Sequence, residues 1–526
     1  MKARTYRALF LFAGLGGGAL GFQAARHPSA RFRTCGAVDF DPTAARDFER
    51  LTGSPCHVGD LATMEPHELA AVCDAPPDVL FTSPPCKGLS GCLPASMAST
   101  EKYVEMNKLT IRGVMLAMEA WPENRPRLVL FENVPRIQGP RGKHLLKIIT
   151  GMLQGYGYAV RETVHDCGEL GGLAQRRKRF LLVARHVKST GDWWREPPKQ
   201  RVRGVGEVLG QLPIPLPGST EGGPMHALPR LSALNWLRLA LIPAGGDWRD
   251  LPPSVRLSPF ATAEEEAVQP IALPERPGRQ NGGYGVEDWT DPAHSVLGEG
   301  TVRNVRASVA DPRLDIEPRN GMMGVVGHDA PAGTILAHLD VQSGRSAVAD
   351  PRPAHESRAG ANGVHAWDAT GRTVIGHDPR GLKGAAVADP RGAPHQIGRI
   401  VQTPDGPMLV GVTLDLSSSR PLDSPPIILA LDGTWHRPMT DLELAALQSL
   451  PTRLDGEWLV LTGNRGKRRE LIGNAVPVAT AEAIATTALG CLATSDAGSV
   501  TLSCDPVWVG PESRYATAAH AFGVHR

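Results

Sequence analysis

The segment Thr82–Gly91 reads TSPPCKGLSG and carries a cysteine, Cys86, behind two prolines and ahead of a lysine, Lys87. A thiol in that setting can serve as a nucleophile, as a metal ligand or as a small buried hydrophobe. The apolar run DVLFT leads into it, so Cys86 stands at the carboxyl end of an expected strand. A second run, LVLFENVP, brings Glu132 and Asn133 to the corresponding end of another. A lone cysteine is usually inert, and a lone Glu at a strand end is usually just solvated. Converging on one pocket, the two are the means to add a thiolate to an electron-poor ring while protonating that ring.

Other residues at strand ends suit a nucleotide. FAGLGGGALGF places Gly14 and Gly16 at a strand-to-helix turn, where missing side chains let the backbone approach a ligand closely. VDFDP supplies Asp39, placed to accept hydrogen bonds from ribose hydroxyls, and Phe40, able to lie against a purine. Asp60, in HVGDL, ends a third short apolar stretch and can take an adenine amine or cap a helix. These residues favour an adenosine-containing cofactor and leave NAD and S-adenosylmethionine both open.

The elements that must position them alternate in the manner of a parallel α/β sheet. Strands are expected at Ala8–Phe12, Cys35–Val38, Asp78–Thr82, Leu128–Phe131, Ala159–Thr163 and Arg179–Ala184. Helices are expected near Gly18–Arg26, Pro42–Thr52, Val104–Trp121 and Lys143–Gln154. Ligands of such sheets collect beyond the carboxyl ends of the strands, where the residues above fall.

After Lys188, Pro and Gly multiply and a repeat appears, with copies beginning at Asn281, Asn320 and Ala359, a step of 39 residues. VADPR recurs at the same step. The copies are too rich in Gly and Pro for helical solenoid units, so short strands and turns are expected, as a duplicated scaffold or a duplicated DNA-reading element. Helical character returns in TDLELAALQSLP, where Thr440 and Glu443 have capping-box spacing, and in PVATAEAIATTALG.

The 526 residues suffice for two or three domains, and a net charge of +2 gives no global signature of a nucleic-acid binder. From Gln175 to Arg203, however, ten Lys/Arg stand against two Asp/Glu, with Phe180, Trp193 and Trp194 interleaved. That run reads as a solvated face or as a phosphate-tracking surface. The eight cysteines show no CxxC pair or zinc spacing, so no metal site or disulfide framework is expected and most should be buried thiols in a reducing cytosol. The basic-then-apolar N-terminus breaks into glycines and reads as a first strand, and no stretch is expected to span a bilayer.

The order FAGLGG, VDFD, GD, SPPC, ENV, QRRKR, a long variable region, RPMTDLELAALQ and GNAVP resembles the DNA cytosine-5 methyltransferases. The likeness covers about residues 9–185 and 437–489. It implies a doubly wound, Rossmann-like domain binding S-adenosylmethionine (residues 1–188), an inserted, mostly β or irregular target recognition domain (189–432), a return to the catalytic domain (433–490) and a tail (491–526). It further implies methyl transfer to a flipped-out cytosine in a specific sequence of double-stranded DNA. A cytoplasmic monomer of bacterial or phage origin, with a cognate restriction endonuclease as a partner, would fit.

By the same resemblance, Phe12, Gly14 and Gly16 match the glycine-rich cofactor loop. Asp39, Phe40 and Asp60 match the ribose, adenine and amine positions, and Asn474 the late residue completing the cofactor pocket. Cys86 matches the nucleophile, Pro85 the residue fixing its loop, and Glu132 the acid that holds cytosine N3 and the exocyclic amine. Gln175, Arg177 and Arg179 match a Q-x-R-x-R motif whose arginines help polarise the base, with Gln175, Arg176 and Lys87 expected at the DNA. The family's Pro-Cys-Gln is here Pro85-Cys86-Lys87, and a lysine would lower the thiol pKa and change a DNA contact. An RNA methyltransferase, a silent DNA-binding protein and a dinucleotide-dependent oxidoreductase are the alternatives. The long insertion argues against the first, the presence of Cys86, Glu132 and Arg179 against the second, and the arginine motif, with Cys86 and Glu132, against the third.

Overall fold

The computed structural model describes residues 3–85, 101–140, 142–243 and 397–497 apart from 413, 419 and 432, and, between 250 and 387, only 250–252, 254–257, 270–272, 286–287, 308–311, 364–365 and 386–387. Cys86 and Lys87 lie outside the described residues, as does most of the repeat region.

Strand β1 (Arg4–Leu11) is buried on both faces: Tyr6, Ala8 and Phe10 point into one core, Leu9 and Leu11 into the other. Such two-sided burial calls for helices on both faces. Its neighbours are β2 (Ala30–Asp39), β3 (His57–Val58), β4 (Val79–Thr82), β5 (Leu128–Asn133), β6 (Tyr158–Asp166) and β7 (Lys178–His186), in the spatial order β3-β2-β1-β4-β5-β7-β6. Helices α1 (Gly17–Ala24) and α2 (Pro42–Thr52) contribute Phe22 and Phe48 to one face. Helices α3 (Pro66–Val72), α4 (Glu101–Ala120) and α5 (Lys143–Gly155) contribute Leu69, Val114 and Ile149 to the other. The doubly wound α/β expectation holds, with one correction. β7 runs antiparallel to both β5 and β6, because the short helix α6 (Cys167–Gly171) and its loop are too brief for a parallel crossover.

The chain order reverses between β1 and β4, which lie side by side and parallel. A crevice opens at such a switch point beyond the carboxyl ends of the strands. The turn after β1 and the loop after β4 both enter it.

The late helices close the first face. After α7 (Val205–Leu209), α8 (Ala233–Leu241), α9 (Asp441–Leu447) and α10 (Arg465–Asn474) comes α11 (Val478–Ala497), whose Ala481, Ile484, Ala485, Ala488 and Leu492 join the core beside α1. Within Arg465–Ala497 lies a stretch apolar and long enough to cross a membrane by length and composition, contrary to the expectation from sequence, yet these side chains are core. It also runs past residue 490, where the tail was expected to begin, with Cys491 and Leu492 buried. Contact with α1 is at backbone distance, for a Cβ on Gly21 would stand 2.5 Å from that of Ala481. Gly21→Ala is therefore expected to cost about 1–3 kcal/mol, as overpacking does, a loss that denaturant unfolding would read.

The insertion and the first residues after it carry a second sheet. Ile397–Thr403, Gly406–Val410, Ile427–Leu429 and Trp435–Pro438 form its centre, and Trp236 and Leu237 of α8 pack in the same core. The repeat has a structural counterpart. Val286 and Glu287 pair in parallel with Ser308 and Val309, and Val364 and His365 pair in the same way with Ala386 and Val387. The second set lies 78 residues after the first, twice the 39-residue step. Short strands were expected, and the first and third copies share one pairing register.

Candidate active site

Three backbone sites with positive φ turn the chain after β1: Phe12 (55°), Gly14 (54°) and Gly16 (84°). A glycine suits that region, whereas a phenylalanine there carries strain. Gly113 of α4 allows the Phe12 ring its place, since a Cβ on Gly113 would sit 3.0 Å from that ring. Gly16 lies so near Phe48 and Thr52 of α2 that a Cβ would meet them at 2.9 and 2.7 Å. Gly14 differs, because nothing lies within 4 Å of where its Cβ would stand. The ground in front of it is open.

Asp39, at the end of β2, holds this turn. Its Oδ2 accepts the Gly14 N–H at 2.8 Å and its Oδ1 the Asp41 N–H at 2.9 Å. Burial pushes its carboxyl above the usual aspartate value, and the two backbone donors pull the other way. Each oxygen keeps a lone pair. Phe40 beside it is 76% exposed, the most exposed large hydrophobic side chain among the described residues. Asp60 is a turn-former here, accepting the Ala62 N–H at 2.9 Å through Oδ1.

The neighbouring strand ends bring a second set together. Glu132, 7% exposed at the end of β5, accepts a hydrogen bond from Ser83 Oγ at 2.8 Å and pairs with Arg179 Nε at 3.1 Å, through different oxygens. Asn133 donates to the Pro84 carbonyl at 3.4 Å and accepts the Val134 N–H, tying the loop after β4 to the end of β5. That loop is described as far as Pro85, one residue short of Cys86.

Not every expected residue joins this cluster. Gln175 is fully buried and its amide donates to the Leu447 carbonyl and Gln448 Oε1, so it clamps α9 rather than facing DNA. Arg177, 2% exposed, donates to the carbonyls of Gly473 and Ala475 on either side of Asn474. Only Arg179 of the Q-x-R-x-R set reaches Glu132. The first two positions instead hold the C-terminal return, and Asn474 itself is exposed at the end of α10. The same return touches the glycine turn, where a Cβ on Gly17 would lie 2.1 Å from the Val476 carbonyl oxygen.

The basic run is also corrected. Arg185 pairs with Asp192, Lys199 with Glu169 and Arg201 with Glu207, while Arg203 donates to the Gly172 carbonyl. Phe180 and Trp194 are core. Part of the run is thus paired with acids mostly outside it, while Arg176 and Lys178 at its start are exposed.

Two contributors went unread in sequence. Ser83 was legible only as part of SPPC. His165 pairs in register with Arg179, has a buried Nδ1 without a hydrogen-bond partner, and is held neutral by burial although Glu132 acts the other way. Alternation along β6 was its only signal.

Cys35, Cys56, Cys73, Cys167 and Cys491 are buried and unpaired as disulfides, and no group of His, Cys, Asp or Glu among the described residues suits a metal. Burial pushes the Cys56 thiol up to about 12 and that of Cys167 to about 11. Neither is a nucleophile at neutral pH.

The family model for the C-5 cytosine-specific DNA methylase matches residues 6–203. Type II methylase M.HgiDII of Herpetosiphon aurantiacus is 26% identical over 227 residues, covering 42% of this chain and 60% of that protein. Type II methyltransferase M.Bsp6I of Bacillus sp. is 26% identical over 173 residues, covering 33% of this chain and 50% of the relative. The chain thus spans about half to three-fifths of the length of these relatives. A solved methyltransferase of Entamoeba histolytica aligns over 94% of this chain and 99% of its own at 11% identity and a TM-score of 0.47, a likeness that carries no further argument. Residues 6–203, which hold Asp39, Glu132 and Arg179, are thus similar to the C-5 cytosine-specific DNA methylase family.

Proposed function

We propose that the chain is a DNA cytosine-5 methyltransferase, acting on a flipped-out cytosine in duplex DNA through a covalent bond from Cys86 to C6. The observation that carries the reading is the Ser83–Glu132–Arg179 cluster beside the glycine turn, at the end of the strand that leads to Cys86. Residues 1–188 with the return through α9, α10 and α11, which ends at residue 497, would form the catalytic domain, and 189–432, joined by the strand Trp435–Pro438, the target recognition domain. The relatives are designated Type II methylases, and with that role the proposal includes a cognate restriction endonuclease as partner and a cytoplasmic monomer as the acting form.

The pocket fits S-adenosylmethionine. Gly14 faces open space, Asp39 has lone pairs left for ribose hydroxyls, and Phe40 offers an uncovered ring for adenine. Phe12, Asp60 and Asn474 would complete its boundary. When bound, S-adenosylmethionine supplies an electrophilic sulfonium methyl group.

Cytosine C5 is a poor nucleophile until a group adds at C6, and the Cys86 thiolate would make that bond. Glu132 would share a proton with N3 and accept from the exocyclic amine, drawing off the charge that develops on the ring. Arg179, placed by its bond to Glu132, would stabilise the same charge at O2. Once C5 carries the methyl group, loss of the C5 proton to a base and expulsion of the Cys86 thiolate restore the ring. Flipping costs a few kcal/mol. Arg176 and Lys87 are proposed at the DNA, whereas Arg177 would act through the return segment.

Methylome sequencing of DNA from expressing cells should find 5-methylcytosine at a recurring sequence. Uniformly unmodified DNA from cells holding folded protein would refute the reading. Gly14→Ala should fold with a loss of about 1–2 kcal/mol for a left-handed alanine, yet bind S-adenosylhomocysteine at least tenfold more weakly, as calorimetry would show.

A further inference from the structure

The turn that would hold the adenosine carries two carboxylates two residues apart, Asp39 and Asp41, on either side of the exposed Phe40 ring. Asp39 accepts the Asp41 N–H, and Asp41 caps α2 by accepting the Thr43 N–H at 2.8 Å. Two negative groups so close repel each other, and burial already penalises the charge on Asp39. The compensating cation comes from the far end of the chain. Lys467 of α10 forms an ion pair with Asp41 through Oδ2, and its Nζ also lies 3.3 Å from Glu470. The Lys467 backbone is fixed in turn, its N–H donated to the Asn464 cap at 2.9 Å.

We propose that Lys467 is a positioning residue for the adenosine pocket, setting the charge and shape of the Asp39–Phe40–Asp41 turn and so making cofactor affinity depend on the docked C-terminal return. The inference rests on the methyltransferase reading, since it requires that Asp39 bind the ribose. Among the described residues, Lys467 is the cation acting on the Asp39 carboxyl, opposite the like charge of Asp41; the Cys56 thiol also lies near, and beyond it Glu49, whose carboxylate accepts the Cys56 N–H. Lys467 lowers the Asp39 carboxyl against the effects of burial and of Asp41. A second link parallels it, as Thr462 donates through both its N–H and hydroxyl to buried Asp47 of α2. The return segment would therefore stay docked when Lys467 is changed.

The experiment is calorimetric titration of the full chain with S-adenosylhomocysteine from pH 5.5 to 8, comparing wild type, Lys467→Met and Lys467→Arg. The pair is partly buried, its side chains 32% and 15% exposed, but the Thr462–Asp47 link holds the same junction, so all three should stay folded and melt within a few degrees of one another. Lys467→Met is expected to bind about tenfold more weakly, the equivalent of about one pKa unit of lost charge compensation. Its affinity should also begin to fall at a higher pH than wild type as acid is added, because Asp39 must be an anion to accept the ribose hydroxyls. Lys467→Arg should restore both. Equal affinity and an equal pH profile in Lys467→Met would overturn the inference alone, whereas no binding by the wild type would overturn the cofactor reading and the inference together.

Discussion

Glu132→Gln is expected to lower the rate of methyl transfer by about three orders of magnitude, within the range for losing a general acid together with the charge it stabilises. The glutamine keeps the shape and can still accept from Ser83, but it cannot share a proton with cytosine N3 and no longer pairs electrostatically with Arg179, whose Nε now lies 3.1 Å from the carboxylate. Cys86→Ala should be more severe, falling to background. A covalent trap separates the two. On DNA containing 5-fluorocytosine, Cys86→Ala should form no adduct, while Glu132→Gln should form it slowly, since its thiolate remains. An adduct that persists in Cys86→Ala would remove the proposed nucleophile. Arg179→Ala should resemble Glu132→Gln, and the double variant should lose little more, because residues acting as one unit are not additive.

The strand ends were readable because buried parallel strands are short apolar runs, and chemistry on such a sheet sits where they stop. Glu132 and Asp39 were found in that way. Gln175 and Arg177 were misplaced for a physical reason: polar residues after a glycine-rich loop look exposed, and sequence cannot show that α9 and α10, almost 300 residues later, cover them. Part of the basic run is compensated in a way sequence does not show, since Glu169 and Glu207, which pair with Lys199 and Arg201, lie outside it. β1 and β2 came out longer than expected because alternate residues such as Arg31 and Arg33 face outward and interrupt the apolar pattern. The repeat was plain in sequence, and its shared register in the first and third copies needed coordinates.

Arg437→Met is expected to destabilise the protein by about 3–5 kcal/mol, the cost of leaving a buried carboxylate without its partner. Both side chains of the Arg437–Glu443 pair are wholly buried, and the bond is bidentate at 2.8 and 2.7 Å. Burial alone would raise the Glu443 carboxyl, but Arg437 holds it below the ordinary glutamate range. A carboxyl lowered in the folded state gives stability that is present above its unfolded value and lost as pH falls through the folded one. The wild type should therefore lose stability progressively below the ordinary value of 4.5, and a variant lacking the pair should show less of that acid slope. Arg437→Met/Glu443→Leu should recover only part of the loss, since Glu443 also accepts the Thr440 N–H at 2.9 Å in the capping box that starts α9. The functional consequence follows from position. Arg437 lies in the strand Trp435–Pro438, which pairs with Ser308–Asp311 of the insertion, while α9 is clamped by Gln175 to the catalytic sheet. Loosening this joint should raise the KM for DNA several-fold while S-adenosylhomocysteine affinity, set at the other end of the crevice, stays within about twofold. Steady-state kinetics at a temperature where the variant is folded would separate the two, and an unchanged KM for DNA would show that the insertion keeps its place without the pair.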